Sequence, residues 1–179
     1  MGQNTATAAA KALRLLDTPD LRHHPARGPQ ERRAASTTPG TPLNLGIVDY
    51  LDQTAGDIIA LTRGIAPNAG PTPDRRADLY DWCLESTGDA NQTQQAHRDL
   101  VFETHHFEHA VRLGDTTEVS KQPCPGCGCW GLMWDAPSRR ARCTNRRCTT
   151  PEGLTSTWPL ARLAAQKIQR TEIWRRNAT

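Results

Sequence analysis

Apolar residues follow the spacing of an α-helix in several parts of the chain. The longest stripe takes steps of three and four residues and contains Leu43, Ile47, Leu51, Thr54, Ile58, Leu61 and Ile65. A shorter stripe, Ala9, Leu13 and Leu16, lies nearer the N-terminus. Residues three and four apart share one helix face, so we predict a short amphipathic helix over residues 6–16 and a long one that ends at residue 65.

Two more helices are predicted among the glycines and prolines in the middle of the chain. The first has Asp74 as its N-cap and directs Leu79 and Trp82 toward a core. The second starts near Asn91 and ends at Gly114. Its predicted buried stripe holds Leu100, Thr104, Phe107 and Val111. Together with the long helix, these two form a small helical bundle.

The pattern changes after residue 120 from helical spacing to alternation. Trp130, Leu132 and Trp134 occupy every second position, "DAPS" follows as a turn, and residues 139–142 return. This predicts a β-hairpin, with "LTSTW" (residues 154–158) as a third strand. A last helical stripe contains Leu160, Leu163, Ala164, Lys167 and Ile168.

The predicted fold class is therefore α+β, a small helical bundle followed by a β-hairpin unit and a C-terminal helix. In chain order we expect a short helix and flexible linker (1–42), the helical bundle (43–120), the hairpin unit (121–158) and a C-terminal basic helix (159–179). The linker prediction depends on composition. Residues 17–42 are rich in Pro, Gly, Arg, Ser and Thr and bury too little apolar surface to offset the entropy of ordering.

Composition limits both the core and the compartment. Only 36% of the 179 residues are hydrophobic, with 13 Gly, 13 Pro and a mean hydropathy of -0.66, which argues against one large core. No apolar run reaches the roughly 18 residues of a membrane span. Lys11 and Arg14 interrupt the apolar stretch that a signal peptide would need. We therefore predict a cytoplasmic protein with no membrane partner, where clustered cysteines are more often metal ligands than disulfides.

Four of the six cysteines have the spacing of a zinc site. Two residues separate Cys124 from Cys127, fifteen separate Cys127 from Cys143, and four separate Cys143 from Cys148. Four thiolates suit the tetrahedral, borderline-soft Zn²⁺ ion and leave no open coordination position. We therefore predict one structural Zn²⁺ without a metal-activated water. Such a protein is not an enzyme and has no small-molecule substrate.

The residues beside these cysteines agree with a metal-binding loop. Pro125 stiffens the loop, while Gly126 and Gly128 permit the positive φ that turns backbone amides toward two sulfurs. Cys129 is out of phase with the first cysteine pair, so we predict a free thiol. Cys83 lies on a predicted helix far from the cluster, and we expect a small core residue there.

The segment from Cys124 to Trp158, with "CPGCGCW" and "CTNRRC", resembles a zinc ribbon. The whole tail is similar to small, uncharacterised ribbon-bearing proteins of actinomycetes and their phages. Such proteins often join a helical front half to a ribbon whose last strand ends in a tryptophan, the position of Trp158. The four-residue gap of the second cysteine pair departs from the usual two. The resemblance implies a zinc-ribbon fold and no particular activity.

The tail is also the basic part of the chain. Residues 121–179 hold 11 Lys and Arg against three Asp and Glu, whereas residues 1–120 hold 11 against 16. This asymmetry is typical of contact with nucleic acid or another polyanion. Arginine donates two parallel hydrogen bonds to a phosphate group. The candidate nucleic-acid-binding residues are Arg139, Arg140, Arg142, Arg146, Arg147, Lys167 and Arg170.

Two functions stay open at this point. The first is nucleic-acid binding through the arginine-rich ribbon and C-terminal helix, and exposed tryptophans would add base stacking. We expect Trp130, Trp134 and Trp158 to fill the ribbon core instead. The second is a protein-binding adaptor, in which the acidic bundle docks a protein partner and zinc only stabilises the fold. Arg146 and Arg147 lie inside the second cysteine loop, residues 143–148, where they could neutralise the thiolates.

The segment "HHFEH" offers a different chemistry. His105, Glu108 and His109 follow the H-x-x-E-H order of a zinc-protease motif. A hydrolase would still need a third ligand and a substrate cleft, for which a small bundle has little room. We expect instead that these histidines line the polar side of their helix.

Overall fold

α-Helices dominate the computed structural model, which describes residues 2–22 and 44–177. In chain order the α-helices are α1 (Gly2–Leu16), α2 (Pro19–Arg22), α3 (Leu45–Ile65), α4 (Leu79–Ser86), α5 (Gln92–Arg112), α6 (Thr117–Ser120) and α7 (Leu160–Asn177). A 3-10 turn, Arg76–Asp78, precedes α4. The predicted linker is helical at Pro19–Arg22, and its residues 23–42, like Leu43 of the predicted stripe, lie outside the described ones. No helix in the two described stretches is long and apolar enough to cross a membrane.

α1 is built into the bundle core. Its inward face carries Ala6, Ala9, Leu13 and Leu16, all almost fully buried, and packs on α5 and α4. The small alanine side chains let the helix backbone approach α5 closely. The predicted helix over residues 6–16 is thus confirmed, and it belongs to one apolar cluster with residues of α3, α4 and α5.

The buried side of α5 differs from the predicted stripe. Phe107 is fully buried as expected, but Leu100, Thr104 and Val111 are only half-buried. The buried set is Arg98, Phe102, Glu103, His105, Phe107, His109 and Ala110. These residues lie on more than one face of α5, because α1 and α7 both pack against it. A single amphipathic stripe therefore cannot describe the buried surface of this helix.

Local signals explain where the long helices begin. The Asn91 side chain accepts a hydrogen bond from the Gln94 amide (3.0 Å), and the Gln94 side chain accepts one from the Asn91 amide (3.2 Å). This capping box satisfies two amides at the start of α5. Asn44 caps α3 through the Ile47 amide (3.4 Å). The predicted cap Asp74 was wrong, because the 3-10 turn moves the start of α4 to Leu79.

The cysteine segment, residues 121–158, forms a three-stranded antiparallel sheet of order β1-β2-β3. The strands are β1 (Leu132–Asp135), β2 (Arg140–Cys143) and β3 (Thr157–Trp158). The register places Leu132 opposite Cys143 and Ala141 opposite Trp158. The α+β class, the hairpin and the third strand are therefore confirmed.

A second apolar cluster joins this sheet to the helices. Phe107 of α5, Leu132 of β1 and Leu163 of α7 are buried in the same cluster as Cys124 and Cys143. Because one core contains residues from all three parts, the cysteine segment is held against α5 and α7 by buried apolar surface.

Candidate metal centre and its surroundings

The four predicted ligands meet at one end of the sheet. The Sγ atoms of Cys124, Cys127, Cys143 and Cys148 all lie within 4.8 Å of one another. Cys124 and Cys148 are 3.7 Å apart, as are Cys127 and Cys143. A tetrahedral ion with metal–sulfur bonds of about 2.3 Å would place its ligands roughly 3.8 Å apart, so the spacing fits a tetrathiolate site.

Backbone hydrogen bonds shape the first cysteine loop, residues 124–129. The Cys124 amide donates to the Cys129 carbonyl (2.9 Å), and the Gly128 amide donates to the Cys124 carbonyl (2.8 Å). Gly128 has a φ of 71°, which favours glycine. At Gly126 an added Cβ would lie 3.0 Å from the Trp158 ring, so the loop packs tightly on the last strand.

The longer second loop is closed by its own polar groups. The Asn145 side chain accepts from the Arg147 amide (3.0 Å), and the Cys148 amide donates to the Asn145 carbonyl (2.9 Å). Thr144 ties this loop to the first one, because its amide and hydroxyl both donate to the Gly131 carbonyl (3.1 and 2.7 Å). These bonds allow a four-residue gap between Cys143 and Cys148.

The thiols of the centre differ in environment. Cys124, Cys143 and Cys148 are buried, whereas Cys127 is exposed. A hydrogen bond from the Cys129 backbone lowers the pKa of Cys127 to about 6. Burial raises the pKa of Cys143. One ligand is therefore readily a thiolate, while the buried one would lose its proton on meeting a cation.

Cys129 is part of this sulfur cluster. Its Sγ lies 3.1 Å from that of Cys127 and 3.7 Å from that of Cys143. Five sulfurs thus gather where the spacing of the sequence predicts four ligands. Cys83, by contrast, is buried in the bundle core among α3, α4 and α5, which confirms its predicted place.

The candidate nucleic-acid-binding residues divide into two groups. Arg142, Arg146 and Arg147 are exposed, and Arg142 lies opposite the exposed Met133 on the sheet. The guanidinium of Arg170 lies over the Trp130 ring, 5.3 Å from its centroid. Three of these four cations are thus exposed on β2 or in the second cysteine loop, and the fourth contacts the tryptophan that follows the first loop.

Of the other three candidates, two have protein partners and the third lines a cavity. Arg140 donates to the hydroxyl of Thr157 (2.9 Å). Lys167 forms an ion pair with the buried carboxylate of Glu103. Arg139, in the hairpin turn with a φ of 53°, lines the cavity between α3 and α5. Sequence spacing could not reveal these partners, because each lies on a distant segment.

The tryptophans are not all core residues. Trp134 and Trp158 are half-buried and pack against the second apolar cluster, as expected. Trp130 is 64% exposed, so the expectation that it fills the core was wrong. It directly follows the first cysteine loop and lies two residues before β1, and the Arg170 guanidinium lies over its ring.

The H-x-x-E-H segment forms a buried hydrogen-bond network. The Tyr50 hydroxyl bonds to His109 Nδ1 (2.6 Å), and the Tyr80 hydroxyl bonds to His109 Nε2 (2.9 Å) and His105 Nδ1 (3.1 Å). Both ring nitrogens of His109 are engaged, so it cannot ligate a metal in this arrangement. The expected polar-side placement was also wrong, because His105 and His109 are almost fully buried.

Burial sets the protonation of this network. It lowers the pKa of His105 to about 4 and that of His109 to about 3, so both rings are neutral at pH 7. Burial also raises the pKa of Glu108 at the wall of the adjoining cavity. That cavity, of about 560 Å³, lies between α3 and α5 and contains Asp57, 3.9 Å from His105 Nε2. The roles of Tyr50 and Tyr80 were not predicted from the sequence. One signal was present, because His105 and His109 share a helix face with the apolar Phe102, which indicates that both histidines are buried.

No family model matches the chain, and no curated protein or solved structure matches it at a significant level. The resemblance of the tail to zinc-ribbon proteins of actinomycetes and phages therefore stays a prediction, and the site geometry has to carry the functional argument.

Proposed function

We propose that this chain is a non-catalytic zinc-ribbon protein of the cytoplasm that binds single-stranded nucleic acid beside its metal centre. The observation that carries the proposal is the exposed Trp130 ring, which has the Arg170 guanidinium over one face and the second cysteine loop beside it. A flat aromatic ring among cations is the arrangement on which unpaired bases stack while phosphates are neutralised.

Zinc is the ion that suits the proposed site best. Four cysteine thiolates favour a soft or borderline cation over Mg²⁺ or Ca²⁺, which prefer oxygen ligands. With Cys124, Cys127, Cys143 and Cys148 as ligands the shell is closed. The ion would then hold the two loops together and activate no water, which supports a structural role and a protein that is not an enzyme.

The proposed binding surface, here the knuckle surface, consists of Trp130, Arg146, Arg147 and Arg170. Its parts are held in register by Thr144, which links the second loop to the Gly131 carbonyl next to Trp130. Three of its four residues are cations, and four thiolates around Zn²⁺ carry a formal charge of only minus 2. The surface therefore keeps a net positive potential.

The test is fluorescence anisotropy of a labelled oligothymidylate at several salt concentrations. Trp130→Ala should weaken binding by roughly 5- to 150-fold, because one base stack is worth about 1–3 kcal/mol. Arg146→Ala/Arg147→Ala should lower the slope of log affinity against log salt by about 1.4, or 0.7 for each lost contact. Zinc content should be unchanged in both variants.

The matched control removes the same charge from the bundle. Lys11→Ala/Arg75→Ala changes two exposed cations far from the cysteine segment and should leave the salt slope unaltered. If the parent protein shows no affinity for oligothymidylate or single-stranded RNA at low salt, the proposal fails.

A second candidate function is the protein-binding adaptor, which the end of α7 favours. Ile173 and Trp174 are neighbours on the last turns and are 50% and 73% exposed. An aromatic and an aliphatic side chain of this exposure are typical of a contact with another protein. In this case Trp174→Ala, and not Trp130→Ala, would abolish the interaction, and salt would have little effect on it.

A further inference from the structure

The first cysteine loop holds two thiols closer together than a shared metal would require. The Sγ atoms of Cys127 and Cys129 are 3.1 Å apart, whereas three other sulfur pairs of the cluster are each 3.7 Å apart. The residue between them, Gly128, has a φ of 71°. This conformation brings two cysteines at positions i and i+2 to the same side of the loop, and a side chain at the middle position would strain it.

Solvent reaches this pair before the other thiols. Cys127 is exposed and Cys129 is half-buried, while Cys124, Cys143 and Cys148 are buried. A small oxidant arriving from solvent therefore meets Cys127 first. The nearest sulfur that can react with an oxidised Cys127 is that of Cys129.

We propose that Cys127 and Cys129 form a modification site, a thiol pair that hydroperoxides such as hydrogen peroxide oxidise to a disulfide. In the first step the Cys127 thiolate attacks one peroxide oxygen. An S–O bond forms, the O–O bond breaks, and the second oxygen leaves as hydroxide, which takes up a proton to become water.

In the second step the Cys129 sulfur attacks the sulfur of the Cys127 sulfenic acid. The S–S bond forms, the S–O bond breaks, and the sulfenic hydroxyl leaves with the proton of the Cys129 thiol as a second molecule of water. The two thiols lose two electrons and two protons, and the peroxide gains both. No other reactant is required.

Oxidation would remove one ligand from the proposed zinc site. Cys124, Cys143 and Cys148 would remain as three ligands of the shell. This consequence rests on the proposed zinc site, whereas the disulfide itself does not. The disulfide is therefore measured first, and by a method that needs neither metal nor nucleic acid.

The experiment treats the purified full-length chain with stoichiometric hydrogen peroxide, then blocks free thiols and digests without reduction. Trypsin releases residues 122–139, which contain Cys124, Cys127 and Cys129. The expected peptide lacks two hydrogen atoms and carries one blocked thiol, at Cys124. Backbone fragments between Cys124 and Cys127 should appear, because only the two later cysteines are linked.

Two variants complete the test. Cys129→Ser should stop at the sulfenic acid, which dimedone traps on Cys127, and should show no disulfide in this peptide. Cys83→Ser removes a buried thiol of the bundle core and should behave like the parent. Elemental analysis before oxidation verifies that both variants carry metal like the parent.

Either of two results would overturn the proposal. One is a disulfide that maps to Cys124 and Cys148, or to Cys143, in the parent protein. The other is a Cys129→Ser variant that loses two hydrogen atoms from its thiols as fast as the parent. If the parent protein does not bind nucleic acid, the position of the disulfide and the behaviour of Cys129→Ser are still measured in the same way. This test is therefore separate from that of the proposed function.

Discussion

The ammonium group of Lys167 on α7 pairs with the carboxylate of Glu103 on α5, whose side chain is only 2% exposed. The hydroxyl of Thr5 on α1 donates to the same carboxylate (3.2 Å). One buried acid thus joins three helices that are far apart in the sequence. Lys167, a predicted nucleic-acid-binding residue, therefore has a structural partner inside the protein.

Lys167→Ala should therefore destabilise the fold. It leaves the Glu103 charge buried without its cation, a change that costs about 3 kcal/mol in typical cases. Urea unfolding measures the free energy, and Arg162→Ala, an exposed residue of the same helix, is the control. Adding Glu103→Gln to Lys167→Ala should recover part of the loss. Equal stability of the parent and Lys167→Ala would show that the pair contributes nothing.

Elemental analysis of the purified protein should find one zinc per chain. Cys143→Ser should lose it, because Cys143 is a buried candidate ligand at the end of β2. Metal binding of this kind is worth about 10–16 kcal/mol in small zinc domains, so hydrogen exchange should then rise throughout residues 121–158. Exchange should also rise in α7, since Leu163 packs in the same core. A metal-free Cys143→Ser variant with unchanged exchange would contradict the shared core.

Cys127→Ser should have a milder effect than Cys143→Ser. The Cys129 sulfur is already 3.7 Å from that of Cys143, a suitable edge of a tetrahedral site, so it can replace the lost ligand. We expect Cys127→Ser to retain zinc with lower affinity in a competition assay with a chelator. The double variant Cys127→Ser/Cys129→Ser should lose the metal. If Cys127→Ser alone is metal-free, Cys129 cannot act as a ligand.

Stability should fall as the pH drops below about 6.5. Unfolded histidines take up a proton near that pH, whereas folded His105 and His109 stay neutral until pH values of about 4 and about 3. Protons therefore favour the unfolded chain between these limits, by about 1.4 kcal/mol per pH unit for each histidine. Urea unfolding at pH 7.5, 6.5, 5.5 and 4.5 measures the effect.

His97→Gln, on the exposed side of the same helix, should reproduce the parent's pH profile.

Tyr80→Phe should lower stability at pH 7, because it removes the hydroxyl that bonds to both buried histidines. A free energy of unfolding that stays constant from pH 7.5 to 4.5 would contradict the neutral, buried network.

Local patterns predicted the elements that depend on local physics. The helical stripe from Ile47 to Leu61 and the helix start predicted near Asn91 correspond to helices α3 and α5. The alternation around Leu132 correctly predicted the hairpin. The cysteine spacing also correctly predicted which four sulfurs lie close together, because short loops leave few other arrangements.

The sequence could not predict contacts that depend on how distant elements meet. Lys167 pairs with Glu103, and Tyr50 bonds to His109, across more than fifty residues, and no periodicity encodes such partners. The exposure of Trp130 has the same cause. Alternation placed it on the inner face of the strand, but the strand starts two residues later, so its ring lies beyond the core.

The packing of α1 on α5 also has a consequence for biosynthesis. Ala6, Ala9, Leu13 and Leu16 are covered by a helix that starts only at Gln92. At 5–20 residues per second, the ribosome needs about 4–15 s to make the intervening chain. During that interval the apolar face of α1 has no α5 to pack against. A chaperone that holds short apolar helices at the ribosome exit should therefore crosslink to nascent chains that stop before residue 92, and release chains long enough for all of α5 to have left the ribosome.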